Sequence, residues 1–214
     1  FSSRGLGDVY KRQALHLVKD MLHNPGSVFY VRQQQPAGLG HAVWCARHLV
    51  GSEPVAVLLA DDLILGASCV KEMVDAYKGG NMVAVMDVPH EQTGSYGIVT
   101  PGADDGRIVQ IEGLVEKPDP SSAPSNIAVV GRYIITPEVF ETLAAQERGA
   151  GGEIQLTDAL AKQIGKAPFS GVRFSGERFD CGSKLGFLQA NVAFGLNNDA
   201  MRDQLRDWLG ERLG

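Results

Sequence analysis

Residues 54–62 read PVAVLLADD. From Val55 to Ala60 every side chain is apolar, two of the six are β-branched, and the run stops at a pair of aspartates. That is the length and composition of a parallel strand buried on both faces. It predicts an open α/β sheet with Asp61 and Asp62 at the carboxyl end of a strand, where ligands bind in such sheets. The residues alone leave two roles open for this pair. They can hold Mg²⁺ through carboxylate oxygens, or they can cap a helix or line a solvated turn.

Working outward, GLGHAVWCARHLV (38–50) turns from two glycines into a helix, and VFYVRQ (28–33) before it reads as a strand. ALHLVKDMLH (14–23) reads as the tail of an amphipathic helix stopped by Asn24, Pro25 and Gly26. Downstream, a helix over 67–79 ending at Gly79 and Gly80 and a strand over 82–88 complete a strand–helix–strand repeat. YGIVTP, RIVQIEGLVEKP and NIAVVGRYIIT are three further strand-like runs separated by turns, which makes the sheet mixed, with antiparallel members. Pro137 suits the first position of a helix capped by Thr136, and a second helix follows with GGEIQLTDALAKQI. KLGFLQANVAFGL and NDAMRDQLRDWLGERL give two amphipathic helices; in the second, Met201, Leu205, Trp208 and Leu209 share a face. No internal repeat and no long linker divides the chain.

The 214 residues suffice for one large α/β domain, and with 44% hydrophobic and 21% charged residues the chain has the composition of a globular protein. A net charge of −5 gives no general attraction for nucleic acid or an anionic membrane, and no apolar run is long enough to span a bilayer. Cys45, Cys69 and Cys181 are odd in number and far apart, which points to a reducing cytoplasm and to no zinc site.

Three more stretches carry candidate chemistry. In GLVEKP, Glu116 and Lys117 close a strand before Pro118. Successive strand residues face opposite sides, so both serve one ligand only if the strand ends or twists there; otherwise they are an exposed pair of opposite charge. In RQQQPAGLGHA, backbone groups freed at the Gly-x-Gly turn can pair with the edge of a base, while His41 has no carboxylate or thiol partner at close spacing and reads as structural. In RFDCGSKLG, Asp180 is a second metal ligand or a cap, and Cys181 a small apolar residue.

The order RQ-x4-GLGHA, LADD, YG, EKP, APSN-x-AVVGRY, GGEIQLTDA and FDCG-x-KLG closely resembles the bacterial UTP–glucose-1-phosphate uridylyltransferases, or UDP-glucose pyrophosphorylases, from about Ser27 to the C-terminal helices. The resemblance implies a Rossmann-like nucleotidyltransferase domain, a mixed sheet flanked by helices, over 14–214. It implies that UTP and α-D-glucose 1-phosphate give UDP-glucose and pyrophosphate with Mg²⁺ as cofactor, and that complete members form homo-oligomers. Position by position, Gln33 and the backbone of Gly38 match the uracil-reading residues, Asp61 the magnesium ligand and Asp180 its acidic partner. Tyr96 and Gly97 match the turn against the sugar. Glu116 matches the carboxylate on the glucose hydroxyls, and Lys117 the cation near the sugar phosphate. Val129 to Gly131 match the strand beside the sugar, and Glu153 the wall of its pocket. Asp62, His41, Cys181 and Asp158 keep structural readings.

The family pattern also begins with a strand, a glycine-rich loop of the kind AGLGTR and a PKEM-type segment. None of these is found in this sequence, and RGLGDVYKRQ matches them only by chance. Residues 1–13 lack apolar periodicity and read as a non-native or disordered leader. Without the loop's donors and the first strand, the resemblance implies little transferase activity and poor solubility for the 214 residues alone. Two alternatives stand beside it: a thymidylyl- or adenylyl-transferring relative, and a non-catalytic homologue that binds a sugar nucleotide or a partner subunit. For Asp61 the expectation is specific. In a form that carries the loop, Asp61→Asn should lower turnover at least ~10²-fold, and near-normal pyrophosphate release would remove Asp61 from the mechanism.

Overall fold

The computed structural model describes Leu15 and residues 24–214. The leader at 1–13 and the helix expected over 14–23 lie outside the described residues, except for the helical Leu15. The chain forms two compact units, Phe1–Gln34 and Gln35–Gly214. In the first, residues 28–33 form no strand. Val28, Phe29, Tyr30 and Val31 are exposed, Tyr30 almost entirely. The β-branched and aromatic composition of VFYVRQ favours a strand, but a strand is held by a neighbouring ladder, and no ladder bond reaches these residues among those described.

The second unit begins with helix α1 (Leu39–Cys45), followed by strands β1 (Val55–Leu58) and β2 (Asp62–Leu65). Helix α2 (Cys69–Ala76) and strands β3 (Asn81–Asp87), β4 (Gly97–Asp104), β5 (Ile108–Glu116) and β6 (Ile127–Ile135) come next. Helices α3 (Pro137–Leu143) and α4 (Leu156–Ala161) then lead to strands β7 (Phe169–Arg173) and β8 (Glu177–Asp180), and helices α5 (Lys184–Leu196) and α6 (Arg202–Leu213) close the chain. Six strands form a mixed sheet in the order β1-β6-β3-β7-β5-β4, with a further β4–β6 pairing at Ile98 and Ala128. The pair β3–β7 is parallel, whereas β4–β5 and β3–β6 are antiparallel, as the turn-separated middle of the sequence implied. Pro137 takes the first turn of α3 and Thr136 its N-cap, though the threonine side chain makes no capping bond.

The strand expected to be parallel and buried is neither. β1 pairs antiparallel with β6 at the end of the sheet's strand order, and Ala56 and Leu58 are exposed. An all-apolar run tolerates burial on both faces, but nothing in it encodes the direction of the neighbour it pairs with. β2 and β8 were not expected either. They form a separate antiparallel ribbon that sets Asp62 opposite Asp180. Their four-residue length and mixed composition give little periodic signal.

β3 explains how the sheet is covered. Val83 and Val85 point into the larger core with Val99, Val109, Val129, Ile135, Leu156 and Leu160. Met82 and Ala84 point the other way, onto Cys69 and Met73 of α2, with Val130, Ile134 and Val172. Alternate residues of one strand thus feed two cores, which is why the run NMVAVMD carries no polar alternation.

Candidate functional site

The aspartates of LADD part company in space. Asp61 lies in the turn between β1 and β2 and its carbonyl accepts the Cys181 N–H at 2.7 Å. A Cβ placed on Gly182 would lie 3.3 Å from Asp61 Oδ2 and 3.0 Å from Asp180 Oδ1, so the two carboxylates flank one spot. Gly182 puts no side chain into that spot, and its N–H donates to Asp180 Oδ1 at 3.0 Å, so Asp180 also closes the turn after β8. Two carboxylates facing one volume suit a hard divalent cation that keeps other oxygen ligands. Among the described residues no set of three or more His, Cys, Asp or Glu side chains forms such a cluster.

Asp62 is neither a cap nor solvated. It is buried, its Oδ1 accepting from Arg178 Nε at 2.5 Å and pairing with Nη2 of the same residue, and its Oδ2 accepting from the Gly131 N–H at 2.6 Å. Desolvation pulls the Arg178 guanidinium down, but Asp62 and Tyr96 outweigh it and hold it above its ordinary value. Arg132 adds to the brace, Nη1 donating to the carbonyls of Leu59 at 3.0 Å and Gly131 at 2.8 Å, and Nη2 to that of Asp62. A side chain at Gly131 would strike the Asp62 carboxylate and lie 2.8 Å from Leu59 Cβ. The turn after β1 is therefore seated on the middle of β6.

From Arg178 the network runs on. Its Nη1 donates to the Tyr96 hydroxyl at 3.2 Å, and the Tyr96 carbonyl accepts the Lys117 N–H at 2.9 Å. Gly97 opens β4 directly opposite Glu116, the last residue of β5. A Cβ on Gly97 would sit 3.2 Å from Glu116 Oε2 and 3.2 Å from Thr157 Cγ2, so glycine leaves room for the carboxylate. Lys117 has φ +46, a left-handed backbone rare for a residue with a side chain and strained further by the proline after it. The strand ends there. That turn brings Lys117 Nζ to 4.0 Å from Glu116 Oε1, so both side chains reach one side, the condition under which they serve one ligand. Burial pushes the Tyr133 phenol up, and the carboxylates of Glu116 and Asp62 push it further.

Two more of the sequence motifs meet elsewhere in this unit. The Ile154 N–H donates to the Ala37 carbonyl at 2.7 Å and the Gly40 N–H to the Ile154 carbonyl at 2.8 Å, which zips GLG onto GGEIQL. Gly38, at φ +113, is the one residue type that fits, because a Cβ would lie 2.9 Å from that of Glu153. Glu153 is exposed, and its carboxylate accepts from Gln155 Nε2 at 3.2 Å. Burial raises the Asp158 carboxyl, which lies against Gly149. His41 was expected to lack a close thiol, but one turn along α1 Cys45 Sγ lies 3.9 Å from its ring, because positions four apart share a helix face; the ring also stacks near Trp44. Gln33 belongs to the first unit, part-buried in irregular backbone. Val129 and Gly131 are buried in β6.

Residues 9–195 match the Nucleotidyl transferase family model. The chain belongs to this family. It is 48% identical over 202 residues to the UTP–glucose-1-phosphate uridylyltransferase of Komagataeibacter xylinus, covering 93% of this chain and 69% of that protein. Among solved structures, it is similar to a UDP-glucose pyrophosphorylase complexed with UDP-glucose (TM-score 0.82, 36% identity, 92% of this chain and 78% of the other). It is also similar to a UTP-bound enzyme from Acinetobacter baumannii (TM-score 0.85, 34% identity, 97% and 74%). The mixed sheet expected from the motifs is the sheet of this family.

Sequence reasoning missed Arg178 and Arg132. The one available signal was the i, i+2 spacing of Arg178 and Asp180, which puts both on one face if RFD is a strand. The seat of Asp62 against Gly131 can be tested by stability. Gly131→Ala should lower unfolding free energy in urea by about 1–3 kcal/mol, while Gly51→Ala, which meets nothing within 4 Å, should leave it nearly unchanged. Equal small effects would contradict the seat.

Proposed function

We propose that the network from Asp61 and Asp180 to Glu116 and Lys117 is one site that makes UDP-glucose and pyrophosphate from UTP and α-D-glucose 1-phosphate, in a cytoplasmic enzyme of carbohydrate metabolism. The observation that carries this reading is the continuous bonding of the two ends: Asp62 to Arg178, Arg178 to Tyr96, and Tyr96 to the strained Lys117 beside Glu116. The similarity to enzymes named for this reaction supports it.

In the reaction, a phosphate oxygen of glucose 1-phosphate attacks the α-phosphorus of UTP. The new O–P bond forms as the bond to the β-phosphate oxygen breaks, and its electron pair leaves with pyrophosphate. Glu116 accepts hydrogen bonds from glucose hydroxyls and Tyr96–Gly97 supports the ring. Lys117, half exposed at the strand end, pairs with the sugar phosphate and keeps the attacking group in line. Asp61 and Asp180 suit Mg²⁺, which binds through one or two carboxylates together with substrate phosphates. Mg²⁺ held there supplies charge neutralisation on the phosphates. The Gly38 backbone reads the uracil, Val129 to Gly131 and Glu153 border the sugar, and the complete enzyme works as a homo-oligomer.

Titration of the chain with UDP-glucose and with UTP, each with Mg²⁺, tests the site. Glu116→Gln should weaken UDP-glucose at least ~10-fold, the usual worth of hydrogen bonds to a charged acceptor, and leave UTP unchanged. An equal loss for both ligands, or none, removes Glu116 from the sugar. Pyrophosphate release by the same chain separates catalysis from binding alone, and competition by dTTP and ATP decides the nucleotide.

A further inference from the structure

Asp62 and Asp180 stand directly opposite each other across the β2–β8 ribbon, so their side chains rise from one face of it. Like charges in such a pair repel. Asp61 precedes Asp62 in the chain and shares with Asp180 the spot beside Gly182. By register alone, then, Asp62 would be a third carboxylate for that pair, although no three such side chains cluster among the described residues. Its oxygens are nonetheless committed elsewhere: Oδ1 to Arg178, Oδ2 to the Gly131 N–H. The Asp62 side chain is 6% exposed, against 48% for Asp180.

Arg178 sets this difference. It faces Ile64 in the register, one step along the same face from Asp62 and Asp180. Its guanidinium pairs closely with Asp62, while Nη2 stays 4.0 Å from Asp180 Oδ2. The Tyr96 hydroxyl, 3.2 Å from Nη1, fixes the plane of the fork. Removing the arginine would leave Asp62 buried with one backbone donor and a strong bias toward any nearby cation.

We propose that Arg178 is a positioning residue that withholds Asp62 from the cation, so that Asp61 and Asp180 alone are presented to it. This rests on the reading that those two carboxylates hold the metal. The consequence is chemical. Two carboxylates leave coordination positions for phosphate oxygens and water, whereas a third would hold the cation tightly before any nucleotide arrives.

The test uses the chain with Mn²⁺ alone, followed by electron paramagnetic resonance or calorimetry, with thermal unfolding of every variant as a control. Wild type should bind weakly. Arg178→Gln should bind at least ~10-fold more tightly, the scale on which partners around metal ligands alter affinity, and adding Asp62→Asn should return the affinity to the wild-type value. A gain that persists in the double variant would be simple loss of a positive charge and would overturn the proposal, as would no gain. Asp62→Asn alone keeps an acceptor for Arg178 but gives up the one for the Gly131 N–H, so its thermal unfolding is read beside its binding; in the folded variant Mn²⁺ affinity should be unchanged, and a marked loss there would make Asp62 a ligand and overturn the proposal, even if Arg178→Gln does not fold. Asp61→Asn separates the two levels. If it leaves Mn²⁺ binding intact, the metal reading fails and this proposal with it; if it abolishes binding while Arg178→Gln gives no gain, this proposal fails alone.

Discussion

The pairing of Asp62 with Arg178 is the constraint on which the candidate site depends. An aspartate buried this deeply must be neutralised and hydrogen-bonded, and here one guanidinium and one backbone N–H do both. Asp62 opens β2 directly after the turn that carries Asp61, and Arg178 lies in β8, two residues before Asp180, so the bond between them sits beside both carboxylates and turns Asp62 away from them. Breaking such a pair from one side leaves an uncompensated buried charge, a loss of about 3–5 kcal/mol. The pair therefore decides where the Asp62 carboxylate faces more than it adds net stability, while the β2–β8 ladder and the Arg132 bonds to the turn carbonyls hold the ribbon and the turn.

Glycine positions serve the same end by subtraction. Gly131 admits the Asp62 carboxylate to β6, Gly97 admits Glu116 across the β4–β5 pair, and Gly182 puts no side chain into the spot between Asp61 and Asp180. Lys117 carries the opposite cost. Its side chain is retained in a backbone conformation that glycine would occupy more easily, and strain of this kind concentrates at functional positions.

Much of this was legible in the sequence, for identifiable reasons. The antiparallel strands of the middle could be read because YGIVTP, RIVQIEGLVEKP and NIAVVGRYIIT are bounded by turn residues, and the end of β5 because Pro118 follows Lys117. The order of motifs pointed to the family directly. The direction of β1 could not be read, since an apolar run is compatible with either. VFYVRQ misled because its composition favours a strand while the ladder that would hold it is a tertiary property. Asp62 was read as bland because its partner is 116 positions away, in a four-residue strand too short to show a period. What a local reading of LADD could not distinguish, cation ligand from brace, is decided by a bond that exists only in the folded chain.

The most direct test of this account is a crystal structure of the chain with Mn²⁺ and UDP-glucose, with the manganese located by anomalous scattering. A single peak is expected in contact with Asp61 and Asp180, with Asp62 still bonded to Arg178 and glucose hydroxyls on Glu116. A manganese peak away from those two aspartates, or a glucose ring bound out of reach of Glu116, would contradict it.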